Sequence, residues 1–345
     1  MLVMPTVVTF GEIMLRLSPP GFERFLQTPA FVATFGGGEA NVAVSVAQFG
    51  LESRYVTRLP ANAIGDAAVK SLRAEGVRTD FIVRGGDRIG VYYAEAGASQ
   101  RASTVIYNRA RSAVSEMPAG TVDWTTVFAD ASWFHTTGIT PALGANGLAC
   151  TREALEAART AGVRTSVDLN FRKKLWTEKQ AQAAMRPLMP LVDVVIANEE
   201  DMQSVLGIHV EGTDVTSGQL NLGAYEAAAR QITTEFGCRQ VAITLRESVS
   251  ASDNGWSAVL YDQATGAFVR SQHYDVRLID RIGGGDSFAG GLIFGLVTGR
   301  TPEASLRFAV AASALKQTIP GDFNRVSVAE VDRLAGGDAS GRVQR

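Results

Sequence analysis

The chain has 345 residues, 46% hydrophobic and 20% charged, enough to bury the core of one large α/β domain with an appendage, or of two domains. Its 33 basic and 35 acidic side chains leave a net charge of −2, which argues against a general nucleic-acid or anionic-membrane surface. The distant Cys150 and Cys238 fit buried free thiols, and His135, His209 and His273 share no metal-ligand spacing and are read as structural. The N-terminus lacks a basic n-region, and no uninterrupted apolar stretch could span a bilayer, so a cytoplasmic setting is expected.

Val7–Phe10 reads as a short buried strand, with Glu12–Leu17 continuing extended until Pro19-Pro20-Gly21 breaks the path. Phe31–Phe35 alternates and ends at Gly36-Gly37-Gly38. Glu39 to Phe49 then carries alanines and valines at helical spacing, and Gly50 stops it. Asn41 falls one turn into this helix, where capping the turn is its simplest role. Tyr55–Arg58 predicts a strand and Ala67–Glu75 a helix stopped by Gly76. Val91–Glu95 and Ser103–Tyr107 flank a polar turn around Gly97 and predict a hairpin rich in tyrosine, with Asn108-Arg109-Ala110-Arg111 directly after it. Such a β appendage suits covering an anionic or hydroxylated ligand; tyrosines on an ordinary sheet surface are the plainer alternative.

From Trp133 the pattern becomes steadily βα. Strands are expected at Trp133–Thr137, Thr165–Leu169, Val192–Ala197 and Val241–Leu245, and helices at Asn146–Ala161, Lys179–Met189 and Ala224–Phe236. Trp256–Tyr261 and Phe268–Tyr274 read as another hairpin, Thr301-Pro302 opens the last long helix, and residues 336–345 form a Gly/Ser/Asp-rich tail. Strands alternating with helices imply a mostly parallel sheet covered on both faces, with ligands at the C-terminal ends of its strands. Polar clusters at Asp168–Arg172, Asn198–Asp201, Thr244–Arg246 and Gly283–Asp286 all fall at that edge.

The last of these clusters is the most informative. Asp280-Arg-Ile-Gly-Gly-Gly-Asp286 leads from an extended run into a small-residue helix. Consecutive glycines let several backbone N–H groups face one concavity, and the helix adds the positive end of its dipole, an arrangement suited to phosphate. Asp286 stands where loop becomes helix, so it is either an N-cap or a carboxylate held beside the anion. No Gly-x-Gly-x-x-Gly follows the first strand and no Gly-x-x-x-x-Gly-Lys-Ser/Thr occurs, which disfavours a nucleotide-dependent dehydrogenase and a P-loop enzyme.

Taken together, the Asp280–Asp286 run and the Gly36–Gly50 segment resemble the C-terminal and N-terminal signatures of the ribokinase-like (PfkB-type) carbohydrate kinases, and the resemblance covers nearly the whole chain. It implies a three-layer α/β/α domain over residues 1–335, a mostly parallel sheet with a small β-sheet lid in segments 14–36 and 88–110, ATP as donor and Mg²⁺ as cofactor; a monovalent cation is a further option. Within the family, Tyr107-Asn-Arg109-Ala-Arg-Ser-Ala, Asp168-Leu-Asn-Phe-Arg172 and Ile319-Pro-Gly-Asp322 are similar to 2-keto-3-deoxygluconate kinases. By that resemblance Asp286 is the base and Gly283, Gly284 and Gly285 form the anion hole. Gly37, Asn41, Tyr92, Tyr107, Arg109, Arg172 and Asp322 bind the sugar acid. Asn170, Asn198, Thr244, Arg246, Gly283 and Gly285 face the nucleotide, and Asn198 with Asp201 holds hydrated Mg²⁺. A carboxylate-bearing substrate also gives Arg109 and Arg172 something to bind, which a neutral sugar would not.

Three departures from the pattern stand out: Arg246 where the family often has glycine, a Ser248–Gly255 segment that looks long, and Arg16 where several relatives place a sugar-binding Asp. Alternatives are another kinase of the family (fructokinase, ribokinase or 5-keto-2-deoxygluconate kinase) or a non-catalytic sugar-acid sensor. The expected partners are the sugar acid, ATP and further copies of the chain in a homodimer or higher homo-oligomer, with no nucleic acid and no membrane.

Overall fold

A computed structural model describes residues 4–210 and 221–341, so the last four residues of the expected tail lie outside the described residues. Its strands in chain order are β1 Thr6–Phe10, β2 Met14–Ser18, β3 Val32–Gly36, β4 Glu52–Leu59, β5 Ile82–Arg84, β6 Gly90–Glu95 and β7 Thr104–Asn108. They continue with β8 Trp133–Thr137, β9 Arg164–Asp168, β10 Val194–Ala197, β11 Gln240–Ser248, β12 Asp253–Asp262, β13 Ala267–Arg270 and β14 Tyr274–Arg277. One ten-stranded sheet runs β13-β12-β11-β10-β9-β8-β1-β4-β5, with β14 also paired to β12. Every pairing from β11 to β5 is parallel, and β12 to β14 add an antiparallel edge.

The central strands are apolar throughout because helices cover both faces. Side chains alternate across a strand, so Val8 and Phe134 enter the core beneath helix Ala145–Thr160. Val7 and Trp133 enter the opposite core, beneath helices Gly284–Val297 and Pro302–Lys316. This is the ribokinase-like architecture expected from the sequence. A separate four-stranded sheet, β3-β2-β6-β7, is made of residues within 14–36 and 88–110.

Local chemistry moved several boundaries. The expected Ala67–Glu75 helix is Ala63–Ala74, because Asn62 caps it by accepting from the Ile64 and Gly65 amides at 3.1 and 3.0 Å. The helix expected to reach Met189 ends at Met185 and tightens to a 3₁₀ turn over Arg186–Leu191, where Pro187 and Pro190 supply no amide. Phe268–Tyr274 divides into two short strands that share β12. The Ser248–Gly255 segment is a hairpin turn between β11 and β12, with Ser248 paired to Asn254. Thr244–Arg246 lies inside β11 rather than after it. β10 stops at Ala197 opposite Ile243, so Thr244 is the first residue past the parallel sheet while β12 keeps the strand going.

Candidate active site

Two helices begin at the same place. Helix Gly38–Gln48 starts after Gly37, where an added Cβ would lie 1.9 Å from the Glu12 carbonyl. Helix Gly284–Val297 starts after Gly283, whose φ is +85° and whose Cβ would meet the Asp322 carbonyl at 2.1 Å. Only glycine allows that approach of backbone to backbone. Neither Asp286 nor Asn41 is an N-cap. The caps are Gly283 and Gly37, and the two side chains bond each other: Asn41 Nδ2 donates to Asp286 Oδ2 at 2.6 Å, while Asn41 Oδ1 accepts from the Gly37 amide at 3.2 Å.

Asp286 therefore presents a carboxylate to the cavity with its orientation set by an amide. Burial pushes its pKa up to about 6, the Asn41 bond pulls it back, and the charge of Asp322 adds to the rise. A carboxyl raised in this way toward neutrality is suited to accepting a proton. Among the described residues no backbone carbonyl accepts from the Gly285 or Asp286 amides, whereas the Gly284 amide turns back to the Arg281 carbonyl at 3.3 Å. Gly283 and Gly285 line the cavity; Gly284 does not, and its Cβ position faces Gln317. The first turn of the helix thus offers a different amide set from the three consecutive glycines expected.

The cavity is about 390 Å³ and gathers every other residue singled out from the sequence: Gly37, Asn41, Tyr92, Tyr107, Arg109, Asn170, Arg172, Asn198, Asp201, Thr244, Arg246, Asp286 and Asp322. At one end the small sheet delivers Tyr92, Tyr107 and Arg109. Tyr92 donates to Asp322 Oδ2 at 2.5 Å, and its ring stacks on Tyr107 at 5.9 Å. Arg16, on β2, binds Asp322 and Asp280 at 2.7 Å each. Its guanidinium thereby fixes the Asp322 carboxylate. Arg109 is buried over Tyr107 and bound to Glu12 Oε2 through Nε at 2.7 Å and through Nη2.

At the other end lie Arg172, Arg246 and Arg281. None of the three has an ion-pair partner among the described residues. Arg246 stacks on Trp256 at 5.4 Å; desolvation in the cleft, with Arg281 and Arg172 close by, lowers its pKa to about 10. Asn170 is held at φ +40°, an uncommon conformation that turns it into the cavity wall. Asn198 and Asp201 form a capping box. Asp201 accepts from the Phe171 and Asn198 amides at 2.8 and 3.1 Å, and burial raises its pKa to about 6. None of the histidines lines this cavity. His135 is buried against Ser166 at 2.8 Å and kept neutral, its pKa near 3 through burial.

Sequence reading placed Asp168 in a cluster at this edge without giving it a role, missed Glu12 and Arg281 as parts of this site, and saw Arg16 only as a departure. A charged residue on the core-facing side of β2 and an acid inside the apolar run Phe10–Leu15 were the available signals, since either must find a partner when buried. Asp168, buried beside Asp201 and Asp286, has its pKa raised by burial and by those two carboxylates.

Known proteins resemble this chain in sequence and in structure. A "2-dehydro-3-deoxygalactonokinase" of Haloferax volcanii is 35% identical, spanning 96% of this chain and 98% of its own. A "2-dehydro-3-deoxygluconokinase" of Bacillus subtilis is 26% identical over 94% of this chain and 93% of its own. The crystal structure of "2-dehydro-3-deoxygluconokinase" from Thermotoga maritima superposes with a TM-score of 0.93 at 50% identity, covering 96% of this chain and 100% of that one. The pattern described as "pfkB family carbohydrate kinase" matches residues 4–325, so the chain belongs to that family and is a phosphotransferase acting on a sugar hydroxyl.

Proposed function

We propose that the enzyme transfers the γ-phosphoryl group of ATP to the terminal hydroxyl of 2-keto-3-deoxygluconate (the 2-dehydro-3-deoxy acid of its relatives' names), giving the 6-phosphate. The observation that carries this reading is Asp286, raised toward pH 6 and oriented by Asn41 in a cavity shared with Arg109 and Arg172. The acceptor oxygen bonds to the γ-phosphorus as the bond to the bridging oxygen of ADP breaks, and the hydroxyl proton passes to Asp286. The Gly285 and Asp286 amides, with Gly283 shaping the turn, take up the developing negative charge.

Arg109 and Arg172 hold the substrate carboxylate, and Gly37, Asn41, Tyr92, Tyr107 and Asp322 face its hydroxyl and keto groups. Asn170 and Thr244 contact the nucleotide, and Arg246 its phosphates. Among the described residues no three acidic, cysteine or histidine side chains cluster to cage a metal, which suits Mg²⁺ carried by phosphates and water, with Asn198 and Asp201 beyond the water. Bound there, Mg²⁺ would neutralise phosphate charge.

A second reading is the C4 epimer, 2-keto-3-deoxygalactonate, favoured by the name of the 35% identical relative. Measuring acceptor-dependent ADP release over both epimers, 5-keto-2-deoxygluconate, fructose, ribose and nucleosides decides between them. One of the two 2-keto-3-deoxy acids should give the highest kcat/KM. A neutral sugar in first place would overturn the sugar-acid reading, and no stimulation by any acceptor would leave a sensor. The edge strands β3 and β7 of the small sheet, with Val32 and Ile106 exposed by 53% and 50%, support a homo-oligomer, checked by light scattering.

A further inference from the structure

Lys316, the last residue of helix Pro302–Lys316, is completely buried. Its ammonium makes no ion pair among the described residues: the nearby Asp280 and Asp322 carboxylates are both taken by Arg16. Instead Nζ donates to two backbone carbonyls of the loop that precedes the catalytic helix, Asp280 O at 3.1 Å and Ile282 O. Its Cε would lie 3.1 Å from a Cβ at Gly283. The same helix grips the loop at three further points. Ser313 Oγ donates to the Gly284 carbonyl at 2.7 Å, and the Gln317 carbonyl accepts from Ile279 and Asp280 at 2.9 and 3.2 Å.

Burying an ammonium is costly even after relaxation, and a neutral amide could have bridged the same carbonyls. A positive charge adds something the amide lacks. It pins two carbonyl dipoles inward and places a fixed cation behind the turn whose amides face the phosphoryl group. A bound monovalent ion does the same job, since carbonyl oxygens replace its hydration shell. Burial lowers the Lys316 pKa, while Asp280 and Asp322 oppose that and favour the charged form.

We infer that Lys316 is a tethered monovalent cation: its ammonium orders the Asp280–Gly283 loop and supplies the positive charge behind the anion hole, so the kinase needs no free potassium or sodium. Lys316 is a positioning residue, acting through the loop without touching substrate. The inference rests on the kinase reading, and the two fail separately.

The whole enzyme is assayed with potassium, sodium or tetramethylammonium as sole monovalent cation. Wild-type kcat should agree within about twofold across the three; a saturable potassium requirement overturns the inference. Lys316→Ala should lose roughly tenfold or more in kcat with little change in KM for the sugar acid, and regain part of it saturably with methylammonium or potassium. Lys316→Met, which fills the space without charge, should lose activity and gain nothing from added cations. Full activity in Lys316→Met, or no rescue of folded Lys316→Ala, counts against the tethered cation. If both variants fail to fold, the wild-type cation series decides. If the sugar acid is not the substrate, the same comparisons are read from calorimetric binding of ATP alone.

Discussion

The two ends of the cavity are built on opposite principles. Beside the small sheet each charge is already paired inside the protein: Arg109 with Glu12, Arg16 with Asp322 and Asp280, Tyr92 with Asp322. At the other end Arg172, Arg246 and Arg281 crowd together with no ion pair among the described residues, Asp168 and Asp201 acting on the first two only at longer range. The first arrangement makes a rigid mould, since buried partners cannot relax into water and stay where the fold puts them. The second is incomplete by itself, as gathered like charges repel until an anion arrives. One end defines shape; the other waits for charge. Asp286 stands between them.

The strongest challenge to this division is Asp286→Asn. It keeps the shape and removes the proposed base, so kcat should fall by about 10²–10⁴ with KM for either substrate changed little. Steady-state kinetics measures this, and near-normal kcat would remove Asp286 from the role. Next comes Glu12→Ala, which strands a buried guanidinium. Breaking a buried pair costs about 3–5 kcal/mol, so denaturant unfolding should show a loss of that order, together with a raised KM for the sugar acid. If Arg109 is held by packing alone, the loss will be small.

Arg246→Ala should behave in the opposite way. Stability should hold or rise, because a like charge is relieved, while KM for ATP increases with the loss of about 1.5–3 kcal/mol of charge-assisted bonding. An equal effect on the sugar acid would erase the distinction between the two ends. The pH profile sharpens it further. As the proposed base Asp286 must be ionised to act, so kcat/KM should fall as pH drops through about 6 and level off above. Asn41 donates to the ionised carboxylate, so Asn41→Ala should move that acidic limb to higher pH. The smallest effect expected is from Tyr92→Phe. It deletes one bond to an Asp322 still held by Arg16, costing about 1 kcal/mol in sugar-acid binding by calorimetry.

Much of this enzyme was legible in its residue order, for physical reasons that act locally. Glycine runs before Asn41 and Asp286 mark turns that only glycine permits, and hydrophobic periods of two and of about 3.6 set strands and helices. From these the parallel sheet and its ligand-bearing edge follow, while most of the individual cavity-lining residues came from the resemblance to the PfkB-type kinases. Boundaries that depend on a single cap or proline, such as Asn62 and Pro187, were less visible, because the competing periodicity runs past them.

The partnerships were left to the tertiary structure. Arg16 finds Asp322 across 306 positions, and Asn41 finds Asp286 across 245, distances over which composition and spacing carry no pairing signal. Whether an arginine awaits an anion or already holds a carboxylate, and whether a lysine ends a helix in water or sits on a loop's carbonyls, is decided by which surfaces the fold presses together. Residue order named the charges; the closing of the sheet, helices and small β layer around one cavity chose which of them would remain unanswered.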